Sequence, residues 1–165
     1  MKRAFTLVEL LIVILILGIL GMIVMPKFSN ATRQARASML ADDLRVMRTQ
    51  LEVFKGQHLG VPPGHPDCDS AKAPTAGVFV AQMTTATNVS GVEGTPGAKG
   101  FYGPYFREIP VDPLNALSSI EIISASESVP GTADGTTGWI YQPSTLTFVA
   151  NAVGSDEMGR SYIDY

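Results

Sequence analysis

The sequence predicts an α+β chain, with one long N-terminal helix packed on a small C-terminal antiparallel β-sheet domain. Three observations predict it. Phe5 to Met25 is an almost unbroken apolar run. Ser29 to Lys55 contains no Gly or Pro and repeats apolar residues at helical spacing. The rest of the chain is polar and rich in Gly and Pro, which reads as many turns and short strands.

The 165 residues suffice for one modest domain plus a membrane segment. The formal charge of −3 argues against a general nucleic-acid binder. A single cysteine, Cys68, excludes an intramolecular disulfide, so the domain is held by its core or by a metal.

The apolar run is long enough to cross a bilayer: about 20 residues at about 1.5 Å each span roughly 30 Å. Lys2 and Arg3 precede it and hold the N-terminus on the cytoplasmic side. A secretory signal is the rival reading, but Met22 to Pro26 offers no small-x-small cleavage site. A plain membrane anchor leaves one residue unexplained. Glu9 is a lone carboxylate near the start of the apolar run, and such a group usually has a partner.

Ala4-Phe5-Thr6-Leu7-Val8-Glu9-Leu10 resembles the processing signature of type IV prepilins and type II secretion pseudopilins. The resemblance implies a pilin-like fold and cleavage between Ala4 and Phe5 by a prepilin peptidase. Phe5 then becomes the N-methylated terminal residue. The family usually has Gly before the cut; Ala4 departs from it by one methyl group. The resemblance also implies a role for Glu9. In an assembled fibre it meets the Phe5 amine of a neighbouring subunit. Paired charges are tolerable in an apolar bundle and unpaired ones cost several kcal/mol, so the pair would set the register.

On its own Pro26 reads as the end of the span; the resemblance implies instead that the helix continues, with Gly18, Gly21 and Pro26 marking a bend or a locally melted turn. Ala37, Leu40, Leu44, Met47, Leu51 and Phe54 form one apolar stripe, with Arg36, Asp43, Arg45 and Glu52 opposite. The stripe is a docking face for the chain's own C-terminal domain, and Gly56 stops the helix. These patterns and the resemblance divide the chain into a leader over 1–4, a transmembrane and fibre-core helix over 5–28, its amphipathic continuation over 29–56 and a globular domain over 57–165.

His58, His65, Asp67, Cys68 and Asp69 lie in a Pro/Gly-rich connection whose spacing matches no standard metal site, so it reads as a loop. Phe79 and Met83 sit at i, i+4 in a short helix, and the stretch from Ser90 to Gly100 reads as a flexible loop. Phe101 to Asn115 is similar to a segment of major pseudopilins at Tyr105, Pro110, Asp112 and Pro113. Ile120 to Ser124 reads as a strand. Gly138–Tyr141 and Thr145–Val149 read as a hairpin, with Trp139, Tyr141, Leu146 and Phe148 inside. Asn151 to Tyr165 reads as a polar tail. In related major pseudopilins a loop near this sheet holds calcium. The resemblance therefore makes Asp134, Asn151, Asp156 and Glu157 candidate ligands. They form no EF-hand pattern, and solvated surface acids are the plainer reading. No other cofactor is expected.

No nucleophile–base pair, phosphate loop or metal triad occurs in a recognisable context, so the chain is expected not to be an enzyme. The resemblance implies a structural subunit of a type II secretion pseudopilus. The partners would be copies of itself in a helical fibre, other pseudopilins, the prepilin peptidase, and an inner-membrane assembly platform with its ATPase. The chain would sit single-pass in the bacterial inner membrane, its domain in the periplasm, and then enter a periplasmic or surface fibre. A type IV pilus pilin serving adhesion, motility or DNA uptake is the alternative. A non-polymerising anchored binding domain is a third reading. Removal of the leader lowers Lys plus Arg from 12 to 10 against 15 acids, giving −5, which disfavours DNA capture.

If the junction is processed, the protein recovered from fibres begins at a methylated Phe5. N-terminal sequencing or intact mass checks this, and an intact Met1 in mature fibres would refute it.

Overall fold

A computed structural model of the chain describes residues 6–165, apart from the side chains of 23–30. The Ala4–Phe5 junction lies outside the described residues.

Helix α1 runs from Leu7 to Gln57. Its N-terminus is held by a capping box, the Thr6 hydroxyl accepting from the Glu9 N–H while the Glu9 carboxylate accepts from the Thr6 N–H. Gly56 does not stop the helix. The helix ends one residue later, at Gln57, and the ring of the capping His58 stacks on Phe54 at 3.8 Å one turn back. The chain then leaves the helical region at Leu59 (φ 58°) and Gly60 (φ 78°), where the Gly60 N–H closes on the Lys55 carbonyl at 3.0 Å.

The stripe packs as its spacing predicts. Ala37, Leu40, Leu44, Met47, Leu51 and Phe54 are all buried, in one cluster with Phe79, Met83, Trp139, Tyr141 and Phe148. Phe79 and Met83 come from α2, Ala76–Thr84, whose Thr75 cap accepts from Val78 N–H. Trp139 and Tyr141 come from strand β5, Trp139–Gln142, and Phe148 from β6, Thr147–Ala150.

The main sheet differs from the antiparallel one expected. Its order is β4-β5-β6, with β4 being Ile120–Ile122. β5 and β6 form the antiparallel hairpin, Trp139 opposite Ala150, but β4 runs parallel to β5, Ile120 opposite Trp139. The reason is the length of the connection. Residues 123–138 allow a crossover, which a tight turn would not. The hairpin turn is also longer than its sequence suggests. Leu146 sits at φ 55° and belongs to the turn, half-buried, so β6 begins at Thr147.

The stretch from Ser90 to Gly100 is not wholly loop. Glu93–Gly94 (β2) pairs with Ala86–Asn88 (β1), which pairs with Phe101–Tyr102 (β3), making a second three-stranded antiparallel sheet. Gly94 is required there, since a Cβ would fall 2.0 Å from the Phe101 ring. The tail is likewise not simply polar. Ala152, Tyr162 and Ile163 are buried, and Ile163 joins Ile123, Ile140 and Val149 in a second apolar cluster. The main sheet is thus covered on both faces.

Leu44 is 1% exposed at the centre of the helix–sheet contact. Leu44→Ala should cost about 2–5 kcal/mol by loss of packing and cavity formation. Met39→Ala, at a position 57% exposed on the same helix, should change stability by about 0.5 kcal/mol or less. Denaturant melts of the two variants check this, and equal losses would mean that the stripe is not the docking face.

Candidate functional site

The first candidate site is the start of α1. The described residues from Leu7 to Leu20 present apolar side chains to solvent, with Leu7 83% and Leu15 64% exposed. No part of the domain covers them. Among these stands Glu9, whose Oε2 accepts from the Thr6 hydroxyl at 3.2 Å and the Thr6 N–H at 3.3 Å. The sequence signal for this is the Thr-x-x-Glu spacing of a capping box, which the reading above passed over. Such contacts satisfy Glu9 locally while leaving it exposed. The helix is unbroken through residues 18, 21 and 26. No atom outside the local helix lies within 4 Å of a Cβ built on Gly18 or Gly21, so both are open for close approach by another chain. The Pro26 side chain lies outside the described residues. Among the described residues no helix is long and apolar enough to cross a membrane, the described side chains of this run ending at Met22.

The second is the clasp between α1 and the C-terminal segment, which the sequence reading missed. Arg48 sits one residue beyond Met47 at the edge of the buried stripe. Its Nε and Nη2 donate to the Phe148 carbonyl at 3.0 and 2.8 Å, and Nη1 to the Tyr165 main-chain oxygen at 3.0 Å. Burial lowers its pKa, and Arg160 nearby adds to the effect. Only the position of Arg48 beside the stripe signals this role in the sequence.

The Phe101–Asn115 segment braces the other side. The Tyr105 hydroxyl donates to Gln57 Oε1 at 2.6 Å, and the Trp139 indole N–H donates to the Pro110 carbonyl at 2.9 Å. Asp112 is fully buried; Oδ1 accepts from Leu114 N–H at 2.7 Å and Oδ2 has no partner. Burial raises its pKa, and the Asp43 charge on α1 adds to that.

The His58–Asp69 stretch does not converge. His58 is buried, with Nδ1 2.9 Å from the Phe54 carbonyl and Nε2 2.9 Å from the Thr87 hydroxyl. A carbonyl only accepts, so Nδ1 carries the proton and Nε2 takes the Thr87 hydroxyl. Burial lowers the His58 pKa, which keeps the ring neutral. His65 instead faces the Lys72 carbonyl at 2.7 Å. Cys68 is buried, and desolvation pushes its thiol up to about 11.

The four candidate calcium ligands divide into two places. Asp134 Oδ1 accepts from Thr136 N–H, the Thr136 hydroxyl and the Asn151 amide, while Asn151 Oδ1 accepts from Asp134 N–H. Asp156 accepts from Met158 N–H and Arg160 N–H on Oδ1, and from the Tyr165 hydroxyl at 2.6 Å on Oδ2. These hydrogen bonds lower both carboxyl pKa values, at Asp156 the Tyr165 bond first. Glu157 is exposed beside Asp156. Among the described residues no three His, Cys, Asp or Glu side chains are gathered to hold a metal. Asp134 Oδ1 and both Asp156 oxygens already face N–H or O–H donors, which a cation at either place would have to displace. A chelator should therefore leave the melting temperature of protein purified with calcium unchanged, whereas Asp156→Ala should lower it. A clear fall on chelation would refute the hydrogen-bond account.

A family model described as "Prokaryotic N-terminal methylation motif" matches residues 1–25. The chain is 31% identical to "Prepilin peptidase-dependent protein D" of Escherichia coli over 53% of its length and 60% of that relative. It is 36% identical to "Type IV major fimbrial protein FimA" of Dichelobacter nodosus over 36% of its length and 40% of that relative. It is 25% identical to "Type II secretion system core protein G" of Klebsiella michiganensis over 84% of its length and 93% of that relative. The chain thus spans less than two thirds of the first two relatives. No solved structure matches. The N-terminal motif, together with these relatives, establishes the chain's resemblance to the type IV prepilin and pseudopilin family.

Proposed function

We propose that this chain is a structural, non-catalytic subunit of a fibre of the type II secretion pseudopilus kind. The observation that carries the reading is the bare apolar half of α1 with a carboxylate near its start. The long-range similarity to a type II secretion core protein favours the pseudopilus setting over the pilus one. A type IV pilin is the second reading, favoured by the fimbrial relative. The excess of acids speaks against DNA capture by either.

In this reading the subunit waits in the inner membrane, single-pass, with residues 57–165 on the periplasmic side. A peptidase cuts the Ala4–Phe5 bond on the cytoplasmic side and Phe5 is methylated. A separate assembly platform and its ATPase then extract the subunit. Its apolar helix exchanges lipid for the helices of other copies. Gly18 and Gly21 admit close neighbours, and any bend through Pro26 would form on entry into the fibre, since the helix of the single chain is unbroken there. Glu9 exchanges its Thr6 donors for the Phe5 amine of a neighbour. A neutralised pair is tolerable in the apolar core, and a wrong stagger leaves both charges bare.

Glu9→Val makes the segment more apolar, so insertion should be at least as good. Cleavage should continue. Fibre yield should fall by an order of magnitude or more, since each subunit would bury an uncompensated amine costing several kcal/mol. The paired readouts are leader removal by mass, and fibres by shearing and microscopy. Normal fibre yield would reject the charge pairing. Loss of both cleavage and insertion would point to a folding defect.

A further inference from the structure

Two unlike surfaces lie at opposite ends of the domain. At one end is the Asp156–Arg160 turn, fixed by the hydrogen bonds to Asp156 and by the Ser155–Ser161 bridge. It carries Met158 at its tip, 92% exposed, beside the exposed Glu157. It borders Arg33, Ala37 and Ala41 of α1. At the other end is a groove of about 550 Å³ with Pro62, Pro74, Pro143 and Ile123 in its walls. Lys55 and Lys72 line it, and among the described residues no acid does. Lys72 pairs with Asp67, while Lys55 and Glu157 make no ion pair among the described residues. The knob thus offers Met158 and the carboxylate of Glu157 at its tip, with Arg33 and Arg160 at its base, and the groove offers the ammonium of Lys55 between proline and Ile123 walls.

The chain cannot fill its own groove. Ala37 and Lys55 stand about 27 Å apart along α1 at about 1.5 Å per residue. A second copy shifted along the helix axis brings its knob to the groove. Because the two surfaces differ, the contact is heterologous, and its repetition generates an open fibre where the rotation does not close. A fully exposed methionine on an ordered turn is also the adaptable side chain such a groove accommodates.

We propose that the Glu157–Met158 knob of one copy seats in the Lys55–Lys72 groove of a second copy displaced along the α1 axis, as an axial contact of the fibre. This rests on the fibre reading, and the test separates the two. Full-length chain carrying Met158→Cys and Ala125→Cys, the latter in the groove wall, is assembled and oxidised, then run without reductant. A second pair, Glu157→Cys with Ser144→Cys, keeps Met158 in place. A ladder of covalent multimers, at least ten-fold above each single variant and above the Cys68-only parent, is the expected result. Fibres seen by microscopy without a ladder from either pair overturn the contact and leave the fibre reading standing. A parent chain that forms no fibres overturns both.

Discussion

The structure depends on one helix facing two environments. Between Ala37 and Phe54, α1 presents a stripe that the sheet and α2 cover completely. Between Leu7 and Leu20 no described residue outside the helix covers it. A 51-residue helix has no difficulty forming, since each residue beyond the nucleus adds a hydrogen bond. The difficulty is burial, and the two halves meet it differently: one against the chain itself, the other only against lipid or further chains.

The domain end of the helix is locked by contacts of different kinds. Burial of aromatic and aliphatic side chains supplies most of the stabilisation, with Trp139 and Phe148 rings 5.4 Å apart beneath the helix. Arg48 adds direction, because its planar guanidinium reaches two main-chain oxygens 100 and 117 residues away in sequence. It ties the C-terminal segment to the helix, and Asp156 then folds that segment into a rigid turn. The turn owes its shape to N–H and O–H donors, the same role that a cation fills where carboxylates converge without donors between them.

Glu9 shows how one side chain serves two states. In the single chain it closes the capping box with Thr6, which keeps a carboxylate solvated and the helix start ordered. In the fibre reading the same oxygens meet an amine. Neither state asks for a buried bare charge, which is the arrangement that physical chemistry penalises most.

The α+β class, the long helix and the identity of every stripe residue were legible in the sequence, because a 3.6-residue period reports directly which side chains share a face. The α2 pair Phe79 and Met83 and the β5–β6 hairpin were legible for the same local reason. So was the N-terminal motif, whose information is carried by contiguous residues. The helix end was legible to within one residue, Gln57 against Gly56. The parallel β4, the Glu93–Gly94 strand and the burial of Tyr162 and Ile163 were decided by tertiary pairing, since a short strand takes its direction from its neighbour and not from its own residues. The different donors met by Asp134 and Asp156 have the same origin. A sequence shows which oxygens exist, and only the folded chain decides which donors reach them first.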